Sequence, residues 1–392
     1  MSVWHITAED VDALLEGLAL FGTGGGGSPA WGRAIMERDL ARGRQYTLIP
    51  PDEVPDEALV VSGGYMGSVK VLDAMGFDEV AEGWEARFEL REALRVMEEI
   101  LGRRVDYVVP FELGGLNTPV VLSLGARAGI PVVDGDALGR AAPETQMTSF
   151  IGHGISLTPM PLVDRAGNTV VVKEAVDPVY PDVLGRWVIT QGGGTGANNH
   201  YPMSGRQLKA AVIPGTISMA LNAGRVVRRA REQGRDPVAA FARFAGGTVL
   251  FRGMVAEVAG EDRFGHYLTS VTVRGVGEDT GATMRLVIKN ETMAAWIDDQ
   301  LAAVLPDLVC MLEPETGRGI MSVDLRAGLP MAAVAIPCHP RLRAALATPQ
   351  GAAAFSGARY GCPDIRYQPL EELLARLGKP LPGTAGSGRE EG

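Results

Sequence analysis

The chain has 392 residues, of which 46% are hydrophobic, and it carries a formal net charge of -10 at pH 7. Its length favours two domains, and its scattered Lys and Arg side chains argue against nucleic acid as a partner. Since no apolar run approaches the roughly 18 residues of a membrane span and the first residues are acidic rather than basic, we expect a cytoplasmic protein that does not bind a membrane.

Helices and strands alternate through the first part of the chain. The capping-box pattern of Thr7 and Asp10 predicts an opening helix, and the glycine run that follows separates it from a second helix. The second helix is predicted over 30–42. A strand over 58–68, a helix over 85–101 and a β-α-β unit over 107–146 follow it. This alternation predicts an α/β domain over residues 1–165 with a mixed or parallel sheet.

The pattern changes after residue 165. Short runs rich in Val and Ile, divided by turn signals, predict mainly strands over residues 166–378, with helices over 216–233 and 237–244. The runs WVIT and GIMSVDL are among the predicted strands, and a hairpin turn is predicted at Gly167. We expect a β-rich second domain, either an antiparallel sandwich or a partial barrel, followed by a disordered tail over 379–392.

Three carboxylates follow two predicted strands of the β-α-β unit. Glu112 comes directly after one apolar run, and Asp134 and Asp136 come after the next. Asn117 is the predicted N-cap of the helix between them. Because ligands of open α/β sheets collect at the carboxyl ends of the strands, we expect these side chains to face one crevice. The alternative is that Asp134 or Asp136 simply caps the next helix.

Two further charged residues extend this acidic segment. Arg140 and Glu144 are four residues apart, so they share one face of the helix that their segment predicts. Burial of this many ionisable groups is costly unless they pair, bind a metal or contact a polar ligand. We therefore include both residues in the predicted site.

The run FGTGGGGSP lies between two predicted helices. The backbone N–H groups of Gly24, Gly25, Gly26 and Gly27 are suited to hold an anion at the start of the second helix, and a flexible turn is an equal alternative. Neither a Gly-Lys-Ser nor a Gly-Lys-Thr sequence follows, and no strand precedes the run. We therefore expect no nucleotide.

Isolated polar residues have more than one interpretation. Asn290 and Glu291 close a predicted strand, where such a pair either lines a site or merely ends the strand. His153 lies in IGHGIS, and His200 ends the polar, glycine-rich stretch QGGGTGANNH. Each is compatible with a site, although an isolated histidine is more often structural or exposed, and no pair of histidines has the spacing of metal ligands. For Cys338, a buried inert thiol is favoured over a nucleophile.

The order of the short motifs resembles one family. The motifs FGTGGGGSP, VVSGGYMGS, ELGGLNT, DGDALGRAAPETQM, PGTISMALNAGR, KNE and ARYGCPDIRYQPLEELL follow the pattern of the S-methyl thiohydantoin desulfurase family across nearly the whole chain. The resemblance implies a two-domain, hydrolase-like enzyme that acts on a five-membered hydantoin-type ring with a propionate arm. Similar domains occur beside hydantoinase and oxoprolinase subunits, which indicates the same class of substrate.

The implied reaction adds water to a C=N bond of the ring and expels methanethiol, so it needs a base and an acid. Carboxylates with separated pKa values suit these tasks, and we select Asp136 as the base and Glu144 or Glu112 as the acid. Alternatively, a divalent metal ion activates the water. Zinc or manganese suits carboxylate and histidine ligands, and Asp134 and Asp136 are the candidate ligands.

The resemblance also assigns contacts to the substrate. Arg140 or the N–H groups of the glycine run hold the propionate arm, and Asn117, Asn290 and Glu291 complete the predicted binding site. Two other interpretations stay open. One is a ring-opening subunit of the hydantoinase or oxoprolinase type, and the other is a non-catalytic subunit that binds a small molecule. A homo-oligomer or a hydantoinase-type partner subunit is compatible with these interpretations.

Overall fold

The computed structural model describes residues 3–67, 77–263, 266–379 and 381. Two large β-sheets organise these residues, an eight-stranded sheet in the first half of the chain and a seven-stranded sheet in the second half. Among the described residues, no helix combines the length and the apolar character that crossing a membrane requires.

The first sheet is mixed, as predicted. Its strands are β1 (Trp4–Ile6), β2 (Tyr46–Ile49), β3 (Leu59–Gly67), β4 (Tyr107–Pro110), β5 (Val132–Val133), β7 (Met160–Asp164), β8 (Thr169–Val172) and β9 (Thr195–Ser204), in the order β1-β2-β5-β4-β3-β9-β7-β8. The pairs from β2 to β3 are parallel, and the remaining pairs are antiparallel. Since β3, β4 and β5 run in parallel, their carboxyl ends share one edge, where α/β sheets bind ligands.

The second sheet is entirely antiparallel. It contains β11 (Thr248–Arg263), β12 (His266–Gly275), β13 (Thr283–Lys289), β14 (Glu291–Ile297), β15 (Gln300–Val304), β16 (Leu308–Leu312) and β17 (Pro330–Ile336), in the order β15-β14-β13-β12-β11-β17-β16. The end strands β15 and β16 contact each other, so the sheet curls into a half-barrel around its own apolar core. This confirms the predicted partial barrel.

Helices pack around both sheets. They are α1 (Val11–Phe21), α2 (Pro29–Ala41), α3 (Phe77–Ala86), α4 (Glu89–Leu101), α5 (Asn117–Ala128), α6 (Ser149–Gly152), α7 (Tyr180–Gln191), α8 (Gly205–Ala211), α9 (Thr216–Glu232), α10 (Pro237–Phe244), α11 (Pro340–Leu346), α12 (Pro349–Ala354) and α13 (Leu370–Arg376). Helix α1 lies so close to α9 that a Cβ on Gly17 would be 1.8 Å from the carbonyl oxygen of Ala220. This contact joins the first helix to the second half of the chain.

Two predicted strands have other structures. The run WVIT belongs to α7, where Pro181 at the helix start and the Asp182–Arg186 ion pair at i, i+4 favour a helix. The run GIMSVDL contains a 3-10 turn, Ser322–Asp324, instead of a strand. Both runs are short and apolar, and periodicity alone does not separate strand from helix or turn at such lengths.

Other strands escaped prediction because their sequences are untypical. Strand β9 contains one Gly and two Asn residues, which strands ordinarily avoid, and it forms because β3 and β7 pair with it on both sides. Through β9 the first sheet continues to Ser204, beyond the composition change at residue 165. A separate small sheet contains two further strands, β6 (Gly135–Asp136) and β10 (Ile213–Pro214). Apart from Lys379 and Leu381, the tail that we predict to be disordered lies outside the described residues.

Candidate functional site

A crevice opens where the carboxyl ends of β3 and β4 meet the glycine run after α1 and the start of β14. The cavity inside it has a volume of about 70 Å³. Both halves of the chain contribute to its wall. Its polar and glycine lining includes Gly26, Gly27, Gly64, Glu112, Asn117, Glu144, Arg186, Asn198, His200, Asn290 and Glu291.

Glu112 is a buried carboxyl group at the end of β4. Its Oε1 accepts a hydrogen bond of 2.5 Å from Nδ2 of Asn117, and its Oε2 accepts one of 2.8 Å from the N–H of Ala142. Burial raises the pKa of Glu112 to about 7, although both hydrogen bonds oppose this increase. The side chain therefore changes its protonation state near neutral pH.

Asn117 holds Glu112 in place from the first turn of α5. The helix begins at Asn117 itself, so Asn117 is its first residue and not the N-cap that we predicted. Its Oδ1 accepts a hydrogen bond of 2.9 Å from the N–H of Tyr65 in β3, while its Nδ2 donates to Glu112. The amide thus connects the ends of two parallel strands, and its orientation is set by these two partners.

The glycine run binds a carboxyl group of the protein itself. The N–H of Gly26 donates a hydrogen bond of 3.1 Å to Oε1 of Glu291. A Cβ on Gly25 would lie 1.9 Å from the same oxygen, so the close approach of Glu291 requires glycine there. Gly26 and Gly27 line the crevice, whereas Gly24 contacts Met311 and lies outside its lining.

Glu291 is the second buried carboxyl group of the crevice. Burial raises its pKa well above the ordinary range, and repulsion from Glu112 raises it further. Its Oε2 is buried and has no hydrogen-bond partner in the protein. Burial and repulsion thus favour the protonated form of Glu291, and its Oε2 is available to a ligand.

Asn290 forms the turn that places Glu291 in the crevice. Its backbone adopts a left-handed φ of 57°, which Asn tolerates better than most residues. Its Oδ1 accepts a hydrogen bond of 2.6 Å from the N–H of Tyr267, and its own N–H donates to the carbonyl of Tyr267 at 2.8 Å. These bonds fix the β13–β14 turn, and with it the direction of Glu291.

Arg140 lies behind the crevice and does not line it. Its guanidinium is fully buried and donates to the carbonyl oxygens of Asp307 and Thr292 at 2.9 Å and 2.8 Å and to Oγ1 of Thr23 at 3.0 Å. Its Nε donates to the carbonyl of Ala141 at 2.8 Å. These contacts correct the predicted role: we reassign Arg140 from holding a propionate to joining the glycine run to the half-barrel.

Asp134 and Asp136 also lie outside the crevice lining. Asp134 caps α9, because its Oδ1 accepts hydrogen bonds of 3.1 Å from the N–H groups of Ile217 and Ser218. Asp136 accepts bonds from the N–H groups of Leu138 and Gly139 at 3.0 Å and 2.9 Å. Burial raises the pKa of Asp136 to about 8. We therefore reassign both residues from catalysis and metal binding to local structure.

Asp134 and Asp136 do not fit a zinc or manganese site. The carboxylates of Asp134 and Asp136 are occupied by backbone N–H groups, which compete with a cation for the same lone pairs. In the part of the chain that the structure describes, no group of three or more His, Cys, Asp and Glu side chains is arranged to hold a metal ion.

Glu144 lines the crevice but is surrounded by cations. Lys289 donates to its Oε1, and Arg359 donates to its Oε2, in part through an Nε–Oε2 hydrogen bond of 2.9 Å. Gln146 adds a further donor. Since these donors occupy both carboxyl oxygens, we reassign Glu144 from proton donation to an ion cluster that connects the first domain with the half-barrel.

Strand β9 contributes crevice residues that were not among the predicted site residues. Asn198 and His200 lie two residues apart and point to the same side of the strand. Burial lowers the pKa of His200 to about 3, so its imidazole is neutral. Its buried Nδ1 has no hydrogen-bond partner in the protein. The polar sequence NNH inside a glycine-rich stretch was the available signal, but its pairing with β3 was not visible in the sequence.

Arg186 is the cation of the crevice wall. Its Nε donates to Oδ2 of Asp182 at 2.9 Å, and its Nη2 donates to the carbonyl of Pro143. Asp182 also accepts hydrogen bonds from the backbone and side chain of Thr145. The i, i+4 spacing of Asp182 and Arg186 was detectable, but we interpreted the run WVIT that follows them as a strand.

The side chains of His153, His339 and Cys338 lie elsewhere. His153 contacts the carbonyl of Ser149 through Nδ1 at 2.8 Å, and His339 caps α11 by accepting from the N–H of Arg341 at 3.1 Å. Burial raises the pKa of the Cys338 thiol, which opposes formation of a thiolate nucleophile. None of these three side chains lines the crevice.

The fold and the crevice define a class of protein in which an α/β domain and an antiparallel half-barrel together line one crevice of carboxyl, amide and glycine groups. Residues 9–174 match the family model described as S-Me-THD-like, N-terminal domain, and residues 177–370 match the model described as S-Me-THD-like, C-terminal domain. The chain therefore belongs to the S-Me-THD-like family. This finding confirms the resemblance seen in the order of the motifs.

A solved structure shares this fold. It is the crystal structure of a protein from Chromobacterium violaceum, determined in a structural genomics programme, and it is 23% identical to this chain. The alignment covers 94% of this chain and 100% of that chain, with a TM-score of 0.74. At this level of identity the likeness shows the fold alone. No curated protein matches the chain.

Proposed function

We propose that the protein is a hydrolase that removes methylthiolate from an S-methyl thiohydantoin or a closely related hydantoin-type ring. The observation that carries the proposal is the pair of buried carboxyl groups, Glu112 and Glu291, which line one crevice and have raised pKa values. Two acids in different environments are suited to divide the roles of base and acid. Membership of the S-Me-THD-like family supports the class of substrate.

Glu112 is the proposed base. Its two hydrogen-bond donors, Asn117 and the N–H of Ala142, stabilise the charged form, and its pKa near 7 suits proton transfer at neutral pH. It takes a proton from water while the water oxygen adds to the ring carbon that carries the sulfur. Glu291 gives its proton to the ring nitrogen as the C=N bond becomes a single bond. The result is a tetrahedral intermediate.

The second half of the reaction restores both carboxyl groups. Glu112 returns its proton to the sulfur, and the C–S bond breaks to release methanethiol. Glu291 takes the proton of the new hydroxyl group as the ring carbonyl forms. The net reaction converts water and the S-methyl thiohydantoin to the hydantoin and methanethiol. Within this scheme, Arg186 supplies the positive charge for a carboxylate arm on the ring.

The test is release of thiol by the purified chain. The protein is incubated with an S-methyl thiohydantoin that carries a propionate arm, methanethiol is measured with a thiol reagent, and the hydantoin is measured by chromatography. We expect equal amounts of the two products, and no release from the double variant Glu112→Gln/Glu291→Gln.

Two other results would reject this reaction. Opening of a hydantoin ring without thiol release supports the ring-opening alternative. Binding of the ring without any turnover, together with co-purification of a hydantoinase-type partner, supports a non-catalytic subunit.

A further inference from the structure

One glycine of the crevice has no structural reason to be glycine. Gly26 and Gly27 have left-handed φ values of 71° and 82°, which side chains rarely adopt. A Cβ on Gly67 would lie 2.8 Å from the carbonyl oxygen of Gly194. Gly64, in contrast, belongs to the regular strand β3 and is not among the positive-φ residues.

A side chain at Gly64 would extend into the crevice. Among the residues that the structure describes, its Cβ would meet only the side chain of Asn117, at 3.5 Å and 3.7 Å, which are ordinary contact distances. By comparison, a Cβ on the neighbouring Gly63 would lie 2.4 Å from Nδ2 of Asn199. The fold therefore accommodates a methyl group at residue 64 but not at residue 63. The bare backbone at Gly64 is space that a ligand is able to use.

The residues beside Gly64 are suited to recognise a neutral polar ring. Asn198 lies directly opposite Gly64 in the β3–β9 pair, so the two positions face the same side of the sheet. His200 follows on that side, held edge-on between the rings of Phe111 and Tyr201, with centroid distances of 5.5 Å and 5.2 Å. The unpartnered Nδ1 of His200 is more than nine-tenths buried, a costly arrangement unless a ligand completes the hydrogen bond.

We propose that Gly64 is a specificity-determining position, against which a planar heterocycle with amide-like N–H and C=O groups lies flat while its edge contacts Asn198 and His200. This inference rests on the proposed function, because the ring of the proposed substrate is such a heterocycle. A planar ring makes the largest contact with bare strand backbone. The amide and the neutral imidazole each offer a donor and an acceptor for its edge.

Binding of hydantoin, measured by calorimetry on the full chain, tests the proposal. The variants are Gly64→Ala and Gly64→Val, with Gly83→Ala as a matched control, since Gly83 is an exposed helical glycine with no atom within 4 Å of its Cβ position. We expect Gly64→Ala to weaken binding by about tenfold or more, as one methyl group in a fitted pocket does, and Gly64→Val to weaken it further. Gly83→Ala keeps wild-type affinity.

A second probe and a second variant separate recognition from folding. The probe 5,5-dimethylhydantoin keeps the polar edge of hydantoin but has methyl groups above and below the ring, so it should bind the wild-type protein more weakly. His200→Phe keeps the aromatic contacts and removes an unpartnered nitrogen. Its melting temperature should therefore equal or exceed that of the wild type while hydantoin binding falls about tenfold or more.

The outcomes distinguish this inference from the proposed function. Wild-type affinity in Gly64→Val overturns the inference, and continued thiol release by that variant leaves the proposed function intact. If hydantoin binds in a Gly64-dependent manner and no thiol is released from the S-methyl compound, the inference holds and the proposed reaction fails. If the wild-type protein neither binds hydantoin nor turns over the S-methyl compound, both are rejected.

Discussion

The substitution Glu112→Gln should change the pH dependence of stability. The pKa of Glu112 is raised from 4.5 to about 7 in the folded protein, so the folded state binds this proton more tightly than the unfolded state. The free energy of unfolding therefore falls as the pH rises through this range. A pKa difference of one between the two states corresponds to about 1.4 kcal/mol. Through this group, the free energy of unfolding of the wild-type protein therefore falls by about 2–3 kcal/mol between pH 5 and pH 8. The variant lacks this loss.

Urea unfolding at the two pH values measures the effect. The wild-type protein should lose about 2–3 kcal/mol more stability from pH 5 to pH 8 than Glu112→Gln does. Glu53→Gln, a substitution of an exposed glutamate, is the control and should follow the wild type. Equal pH dependence in wild type and Glu112→Gln would show that Glu112 does not hold a proton at pH 5, and the argument from burial would be refuted.

The same variant should lose activity. Removal of a general base costs on the order of 10²–10⁴-fold in kcat, and the rising limb of the pH–rate profile near pH 7 should disappear with it. Glu53→Gln again provides the control. A variant with wild-type kcat and an unchanged profile would exclude Glu112 as the base, whatever its effect on stability.

The remaining predictions concern the other carboxyl groups and the buried arginine. Glu291→Gln should remove the falling, alkaline limb of the pH–rate profile, because the pKa of Glu291 is raised well above its ordinary range. Asp136→Asn should retain wild-type turnover in the thiol assay, since Asp136 lies outside the crevice lining. Asp134→Ala should cost about 1–2 kcal/mol in urea unfolding through loss of a helix cap, with unchanged kcat. Arg140→Met should lower the free energy of unfolding by about 3–5 kcal/mol in the same measurement, because the buried carbonyl oxygens of Ala141, Thr292 and Asp307 lose their hydrogen-bond donor. A cost below about 1 kcal/mol would contradict the role assigned to Arg140.

The sequence predicted the architecture well where local rules apply. The β-α-β unit, the glycine run and five half-barrel strands (β11, β12, β13, β16 and β17) are each recognisable within a short segment, so alternation and turn signals were sufficient for them. Strands β14 and β15 were not predicted. Strand β9 was not recognisable, because its Gly and Asn residues form a strand only between two partners that are distant in sequence. The helix that contains WVIT was missed for the opposite reason, since its apolar run is too short for periodicity to decide.

The crevice was only partly predictable. The rule that ligands bind at the carboxyl ends of the strands led to Glu112 and Asn117. Both line the crevice together with Asn290 and Glu291. The rule does not distinguish a side chain that faces the crevice from one that caps a nearby helix, as Asp134 does. That difference depends on where α9 begins in space. Helix α9 begins at Thr216, which is 82 residues after Asp134 in the chain.

The difference between the two carboxyl groups is a property of the whole fold. Glu112 follows a strand of the first sheet, and Glu291 begins a strand of the half-barrel, yet repulsion from Glu112 contributes to the raised pKa of Glu291. The glycine run holds them together, since the N–H of Gly26 donates to Glu291 while its carbonyl accepts from the N–H of Asn117 at 3.2 Å. Separation of the domains would remove both the repulsion and the burial. The proposed acid and base therefore keep different proton affinities only while the two domains remain packed against each other.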